Sequence, residues 1–82
     1  MTTTQTTDPG RRWFTVLDGH RLRRLRRQHG LSQEQLADRA GISTATVARL
    51  EHQLAASCRS RTLGRLAAAL GEDPDLNRAG LP

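Results

Sequence analysis

Two short helical patterns meet at Gly41, and this junction constrains the possible folds more than any other part of the chain. A small residue stands where the two helices would cross closely, and a glycine stands where the turn needs a positive φ. Apolar residues follow at offsets that would clamp the second helix onto the first. These positions are Ala37, Gly41, Ile42, Val47 and Leu50. Residues 33–52 therefore predict two helices packed across a tight turn.

Capping signals place the starts and ends of the first three helices. Asp18 is a good N-cap for a first helix, and Gly30 suits the left-handed position that would stop it. Ser32 and Gln35 have the spacing of a capping box at the start of the second helix. Ser43 follows the turn as the N-cap of a third helix.

A fourth helix is predicted from about Arg61 to Leu70, because apolar residues recur there at the spacing of one buried face. Gly71 would end it, and Asp73 would cap a short last helix. The segment 52–60 is predicted to be a loop, and no segment shows the alternation typical of a strand. The expected fold class is all-α, a compact bundle of four to five helices.

The N-terminal segment differs in composition from the rest of the chain. Residues 1–12 are predicted to form a disordered arm, and residues 13–82 a single domain. Trp13 and Phe14 are the only aromatic residues. We expect them to lie in a short extended segment over the first helix and to cover the core, a dimer contact being the alternative.

The charge of the chain points to a polyanionic partner. Thirteen arginines and no lysine stand against eight acidic residues, which gives a net charge of +5. Arginine suits bidentate contacts with phosphate and guanine, although a GC-rich genome would also favour arginine codons.

Composition also excludes several classes of function. The three histidines and Cys58 lack the spacing of metal ligands, so we predict no metal site. No nucleophile and base have a recognisable spacing, so we predict neither a cofactor nor enzymatic activity. One cysteine cannot form an internal disulfide, and neither a signal peptide nor a membrane-spanning run is visible. A soluble protein of the cytoplasm, associated with the nucleoid and not with a membrane, is expected.

The stretch LRRLRRQHGLSQEQLADRAGISTATVARLE, with TLGRLAAALG downstream, resembles the lambda-repressor-like helix-turn-helix domain, also called XRE or Cro-type. The resemblance covers about residues 19–79. It implies a five-helix domain whose third helix, about residues 43–53, enters the major groove of double-stranded DNA. The implied function is a sequence-specific transcriptional regulator, with a repressor favoured, acting as a homodimer that forms in solution or only on DNA.

The resemblance also assigns roles to individual residues. Base-facing positions correspond to Ser43, Thr44, Ala45 and Arg49. Phosphate-contacting positions correspond to Gln33, Thr46, Arg59 and Arg61. A structural salt bridge corresponds to Arg26 and Glu51. Small residues at the start of the third helix would let its backbone approach the groove closely, which leaves Arg49 as the one long donor and the expected reader of a guanine.

The segment after the third helix departs from the family pattern. Gln53 stands where the family usually has glycine, Cys58 replaces the usual proline, and the loop is one residue longer. Two alternatives stay open at the level of sequence. Arg49 would contact phosphate or be a solvated surface residue instead of contacting a base, or the whole domain would be an antitoxin or accessory module that binds a protein partner.

Overall fold

The computed structural model describes residues 14–72 of the chain. Within this range the elements, in chain order, are β1 Phe14–Leu17, α1 Gly19–Gln28, α2 Gln33–Ala40, α3 Thr44–Glu51, β2 Ala56–Arg59 and α4 Ser60–Ala69. The predicted arm at residues 1–12, Trp13 and the predicted last helix from Asp73 lie outside the described residues.

The predicted caps at the starts of three helices are confirmed. The Asp18 carboxylate accepts a hydrogen bond from the Arg21 N–H at 3.0 Å. Ser32 and Gln35 form the reciprocal capping box, in which each side chain accepts from the other's backbone N–H. The Ser43 hydroxyl accepts from the Thr46 N–H at 3.1 Å. Local sequence therefore determines where α1, α2 and α3 begin.

The turn between α2 and α3 has the predicted geometry. Gly41 has φ 70°, a left-handed value that a side chain would strain. The Ile42 N–H donates to the Ala37 carbonyl at 3.0 Å, so the end of α2 is closed by its own backbone. This turn fixes the direction in which α3 leaves α2.

The core is built almost entirely from leucine and small residues on the inner faces of the four helices. All four residues of the predicted stripe on α4 are buried: Leu63, Leu66, Ala67 and Leu70. Leu22 from α1, Leu36 from α2 and Leu50 from α3 join them in one cluster and are fully buried. The apolar pattern of the sequence thus predicts which helix faces pack together.

The prediction of a loop at residues 52–60 is wrong in its second half, and the all-α fold class is incomplete. Strand β2 pairs antiparallel with β1, so that Phe14 lies opposite Arg59 and Leu17 opposite Ala56. Ala56 and Cys58 point inward, whereas Ser57 and Arg59 point outward. This alternation is only four residues long and is carried by small side chains, so it gives little hydrophobic contrast in the sequence.

Phe14 lies in the expected extended segment, but the prediction that it covers the core is wrong. Its side chain is 49% exposed and faces outward with Val16, while Leu17 is the buried residue of the strand. The Phe14 ring packs against the guanidinium of Arg59, 5.9 Å from the ring centroid, because side chains directly opposite on paired strands are neighbours.

A search for membrane spans within residues 14–72 found no helix with the length and hydrophobicity that crossing a bilayer requires.

Candidate nucleic-acid interface

Helix α3 has one buried face and one exposed face. Val47, Leu50 and Glu51 are buried against the other helices. Thr44, Ala45 and Arg49 are exposed on the opposite side. Since residues four apart share a face, Ala45 and Arg49 lie along the same exposed surface, and Thr44 is exposed at the N-terminal end of the helix beside them.

The hydroxyl groups at the start of α3 hold each other. Ser43 Oγ lies 2.8 Å from Thr46 Oγ1 and also accepts the Thr46 backbone N–H. The side chain of Ser43 is therefore engaged in capping. Thr44 and Ala45 remain as the exposed side chains of the first turn, where the backbone N–H groups of a helix are free to meet an anion.

Arg49 reaches from α3 to the second strand. Its Nη1 donates a hydrogen bond to the Ser57 carbonyl at 3.2 Å. The residue as a whole is nevertheless exposed. An arginine has five N–H donors, and this contact uses one of them.

A buried ion pair joins α1 to the last residue of α3. Arg26 Nε donates to Glu51 Oε2 at 2.6 Å, and Arg26 Nη2 donates to Glu51 Oε1 at 2.9 Å. Arg26 Nη1 donates to the Leu31 carbonyl at 2.8 Å. The hydrogen bond to Glu51 raises the pKa of Arg26, opposed by burial and reinforced by the charge of Glu51. The pair fixes the C-terminal end of α3 relative to α1.

Gln33, at the first position of α2, is connected to this ion pair. Its Nε2 donates to Glu51 Oε1 at 3.1 Å, and its amide oxygen takes no part in this hydrogen bond. Beside it is a polar pocket of about 220 Å³. The residues that line the pocket come from α1, α2, α3 and the position just after α3: Arg23, Arg26, Gln33, Ala48, Glu51 and His52. Arg26 is already paired with the Glu51 carboxylate, which also lines the pocket, so Arg23 and Gln33 are the side chains there that could receive an anionic group such as a phosphate.

Two further arginines named from the sequence lie elsewhere on the surface. Arg59 is exposed on the outer side of the sheet, with its guanidinium over the Phe14 ring. Arg61 is exposed in the first turn of α4. Among the residues named from the sequence, Ser43 contacts Thr46, and Gln33 lies beside the Arg26–Glu51 ion pair. Arg59 packs against Phe14 on the sheet.

Three residues that position the candidate interface were missed by the sequence analysis. Arg65, on α4, donates from Nη1 to the Gly41 carbonyl at 3.2 Å and so braces the turn. Ser57 supplies the carbonyl that Arg49 contacts. At Gly19 a Cβ atom would lie 1.9 Å from the Leu50 carbonyl oxygen, so only glycine allows α1 to meet the end of α3. All three contacts join distant segments, which no local pattern reveals.

Cys58 lacks the surroundings of a reactive cysteine. The Cys58 thiol is buried, and burial raises its pKa, against a smaller lowering by the charge of Arg49. A thiol with a raised pKa is a poor nucleophile at neutral pH. Among residues 14–72, no three His, Cys, Asp or Glu side chains come together as a metal site would require.

Comparison with protein families gives a match over most of the chain. The model of the family HTH_3, described as Helix-turn-helix, matches residues 22–77. That range includes every helix in the described part of the chain except the first three residues of α1. Comparison with curated proteins found no match.

Solved structures agree with this match. The restriction-modification controller protein C.AhdI from Aeromonas hydrophila is 36% identical, with a TM-score of 0.65 over 71% of this chain and 86% of that chain. An HTH_3 family transcriptional regulator from Vibrio cholerae is 28% identical, with a TM-score of 0.69 over 79% of this chain and 36% of that one. SinR, a master regulator for biofilm formation solved in complex with DNA, is 24% identical, with a TM-score of 0.67 over 72% of this chain and 94% of that chain, which shows a shared fold.

Proposed function

The chain belongs to the helix-turn-helix family HTH_3, and from that premise we propose that it is a sequence-specific DNA-binding transcriptional regulator that acts as a repressor. The similarity to a controller protein and to a transcriptional regulator supports the regulatory role. The excess of arginine over acidic residues supports a nucleic-acid partner, and a DNA ligand places the site of action at the nucleoid.

The exposed face of α3 is the observation that carries this proposal. Its first turn carries only small side chains, and Arg49 follows one turn later on the same face. In our account α3 enters the major groove with its N-terminal turn close to the bases. Thr44 and Ala45 make short-range contacts, including apolar contact with a thymine methyl group, while Arg49 donates to guanine O6 and N7.

Phosphate contacts on either side of α3 would set its position on the duplex. Gln33 stands at the start of α2 beside the arginine-lined pocket, and Thr46 stands in the first turn of α3. Arg59 and Arg61 follow in β2 and α4 as exposed cations. Such contacts determine register and orientation but carry no sequence information, so the reading of sequence falls to α3.

A reading face this small specifies only a few base pairs, which favours a two-fold symmetric homodimer on two half-sites. Recognition helices of such dimers bind sites about 34 Å apart, one turn of DNA. The dimer forms either in solution or only on DNA. Repression is the regulatory outcome that occupancy alone produces, because a bound dimer excludes other proteins from the same DNA.

Selection of bound duplexes from a random DNA pool, at near-physiological salt, tests this function. We expect enrichment of an inverted repeat with half-sites one helical turn apart. Binding that is sensitive to salt but enriches no sequence would mean that only phosphate contacts operate, and would contradict the proposal. A protein-interaction module would then be the better description.

A further inference from the structure

The hydrogen bond from Arg49 to Ser57 connects the candidate reading face of α3 to the two-stranded sheet. Arg49 Nη1 lies 3.2 Å from the Ser57 carbonyl oxygen. Ser57 is the second residue of β2 and lies opposite Val16 of β1. The sequence predicts only an extended segment at Trp13 and Phe14, and the proposed function uses the sheet only through Arg59, as a phosphate contact.

We propose that the sheet is part of the DNA-reading apparatus: β2 holds Arg49, through the Ser57 carbonyl, in the orientation in which it reads its base. Ser57 is then a positioning residue, and β1 acts one step further away by fixing β2. The inference rests on the proposed function, because it assumes that Arg49 reads a base.

The chemistry of arginine allows it to be held and to read at the same time. One of the five guanidinium N–H groups is used by Ser57, which leaves four donors. A bidentate contact with guanine O6 and N7 needs two. The Ser57 contact can therefore persist in the complex, and Arg49 need not release it to reach the groove.

The energetic benefit is that of preorganisation. A free arginine side chain loses rotamer freedom when it is ordered on a base, and that loss weakens binding. A side chain already held by a fixed carbonyl loses less. The benefit arises only on a duplex where Arg49 makes its base contact, so it increases discrimination at that base pair more than it increases affinity for DNA in general.

The packing of the sheet explains why the carbonyl is fixed. Ser57 lies between Ala56 and Cys58, which are both buried, and the pairing of β2 with β1 sets the strand's position. Val16, opposite Ser57, is 51% exposed on the outer side of the sheet. We therefore expect a change at Val16 to reach Arg49 through the backbone of the two strands.

Substitution of Val16 provides the test, because glycine weakens a strand without removing a buried side chain. The measurement is the ratio of affinities for the selected duplex and for a duplex changed only at the base pair read by Arg49. We expect Val16→Gly to lower this ratio by about 2- to 12-fold, the factor that corresponds to ordering one long side chain. Ratios for neighbouring base pairs should not change.

Three control proteins separate positioning from a general loss of stability. Val16→Thr keeps a β-branched residue in the strand and should retain the wild-type ratio. Ala68→Gly weakens α4 at an exposed position and should leave the ratio unchanged. Adding Val16→Gly to Arg49→Ala should change the ratio no further, because the side chain to be positioned is gone.

The outcomes distinguish this inference from the function on which it rests. If Arg49→Ala lowers the ratio but Val16→Gly lowers both affinities equally, the sheet is only structural and the inference is overturned while the function stands. If Val16→Gly lowers the ratio equally in the Arg49→Ala background, the effect does not pass through Arg49 and the inference also fails. If Arg49→Ala leaves the ratio unchanged, the reading role of Arg49 fails and takes the inference with it.

Discussion

The two faces of α3 use arginine in opposite ways. On the buried face, Glu51 is 4% exposed and receives two hydrogen bonds from Arg26, whose third nitrogen is bound to a backbone carbonyl. On the exposed face, Arg49 makes one hydrogen bond, to the Ser57 carbonyl. All three nitrogens of the first guanidinium are bound within the protein, whereas the second uses one of its five N–H donors there and retains the others for another molecule.

This difference separates stability from recognition within one eight-residue helix. Changes on the buried face should unfold the domain before they alter any preference for sequence. Changes on the exposed face should alter DNA binding and leave the fold intact. Substitutions on the two faces therefore test whether that separation holds.

Gly19→Ala should be the most damaging change, because the added Cβ would lie 1.9 Å from the Leu50 carbonyl oxygen and 2.2 Å from that of Gln53. Both atoms belong to the backbone, so the clash cannot be relieved by a side chain that changes its rotamer. We expect a loss on the order of 5 kcal/mol in the free energy of unfolding, measured by chemical denaturation.

Gly64→Ala is the matched control for this change. Gly64 is inside α4, and apart from the neighbouring backbone of that helix no atom lies within 4 Å of its Cβ position. Alanine there should raise stability by about 0.5–1 kcal/mol through its better helix propensity. Equal effects at the two glycines would show that the contact between α1 and the end of α3 is not close.

Arg26→Met should cost about 3–5 kcal/mol of stability, since it leaves the buried Glu51 carboxylate without its partner. Adding Glu51→Leu should recover much of the loss, because the unpaired charge is then removed. Arg24→Met, at an exposed position of the same helix, should change stability by less than about 0.5 kcal/mol. If Arg26→Met protein remains folded but prefers different bases, stability and recognition are not separated between the two faces of α3.

Arg49→Ala should weaken binding to the selected duplex by about 1–3 kcal/mol and relax preference at one base position. Its melting temperature should stay close to that of the wild type, as the side chain is exposed. Arg61→Ala should instead weaken all duplexes alike and reduce the salt dependence of binding. Titrations of both variants with matched and mismatched duplexes provide the comparison, and an equal loss on every duplex for Arg49→Ala would assign it to phosphate.

The contact between Phe14 and Arg59 should have the smallest effect. The guanidinium lies over the ring, but the ring is half exposed, so water screens the attraction. A double-mutant cycle with Phe14→Ala and Arg59→Ala should give a coupling of about 0.5–1 kcal/mol in unfolding experiments. A much larger coupling would mean that the outer side of the sheet contributes to stability as the buried face of α3 does.

Most of the helical part of the fold could be predicted from sequence because its signals are local. The starts of α1, α2 and α3 are each marked by an N-cap whose side chain accepts a hydrogen bond from the backbone N–H three residues later: Asp18, Ser32 and Ser43. Gly41 marks the turn because that position needs a positive φ. The stripe of leucines on α4 likewise repeats within one helix. Each of these signals needs no partner from elsewhere in the chain.

The sheet and the supporting contacts could not be predicted in the same way. Strand β2 is defined by its pairing with β1, across three intervening helices, and its residues are small. The contacts of Ser57 with Arg49 and of Arg65 with Gly41 also depend on how distant elements pack. For the candidate site, the resemblance supplied the residue roles. The roles toward DNA remain predictions for all eight residues that it named: Gln33, Ser43, Thr44, Ala45, Thr46, Arg49, Arg59 and Arg61.

We propose that the exposed face of α3 reads the major groove through Arg49. Methylation interference on the selected duplex probes this contact at the guanine itself. Methylation of guanine N7 modifies only the major groove, at the atom that a bidentate arginine contacts. We predict that it blocks wild-type binding at one guanine of each half-site, and that Arg49→Ala is indifferent to methylation there. If methylation of no single guanine weakens wild-type binding, the proposed role of Arg49 is contradicted. It is also contradicted if methylation of the predicted guanine weakens the wild type and Arg49→Ala equally.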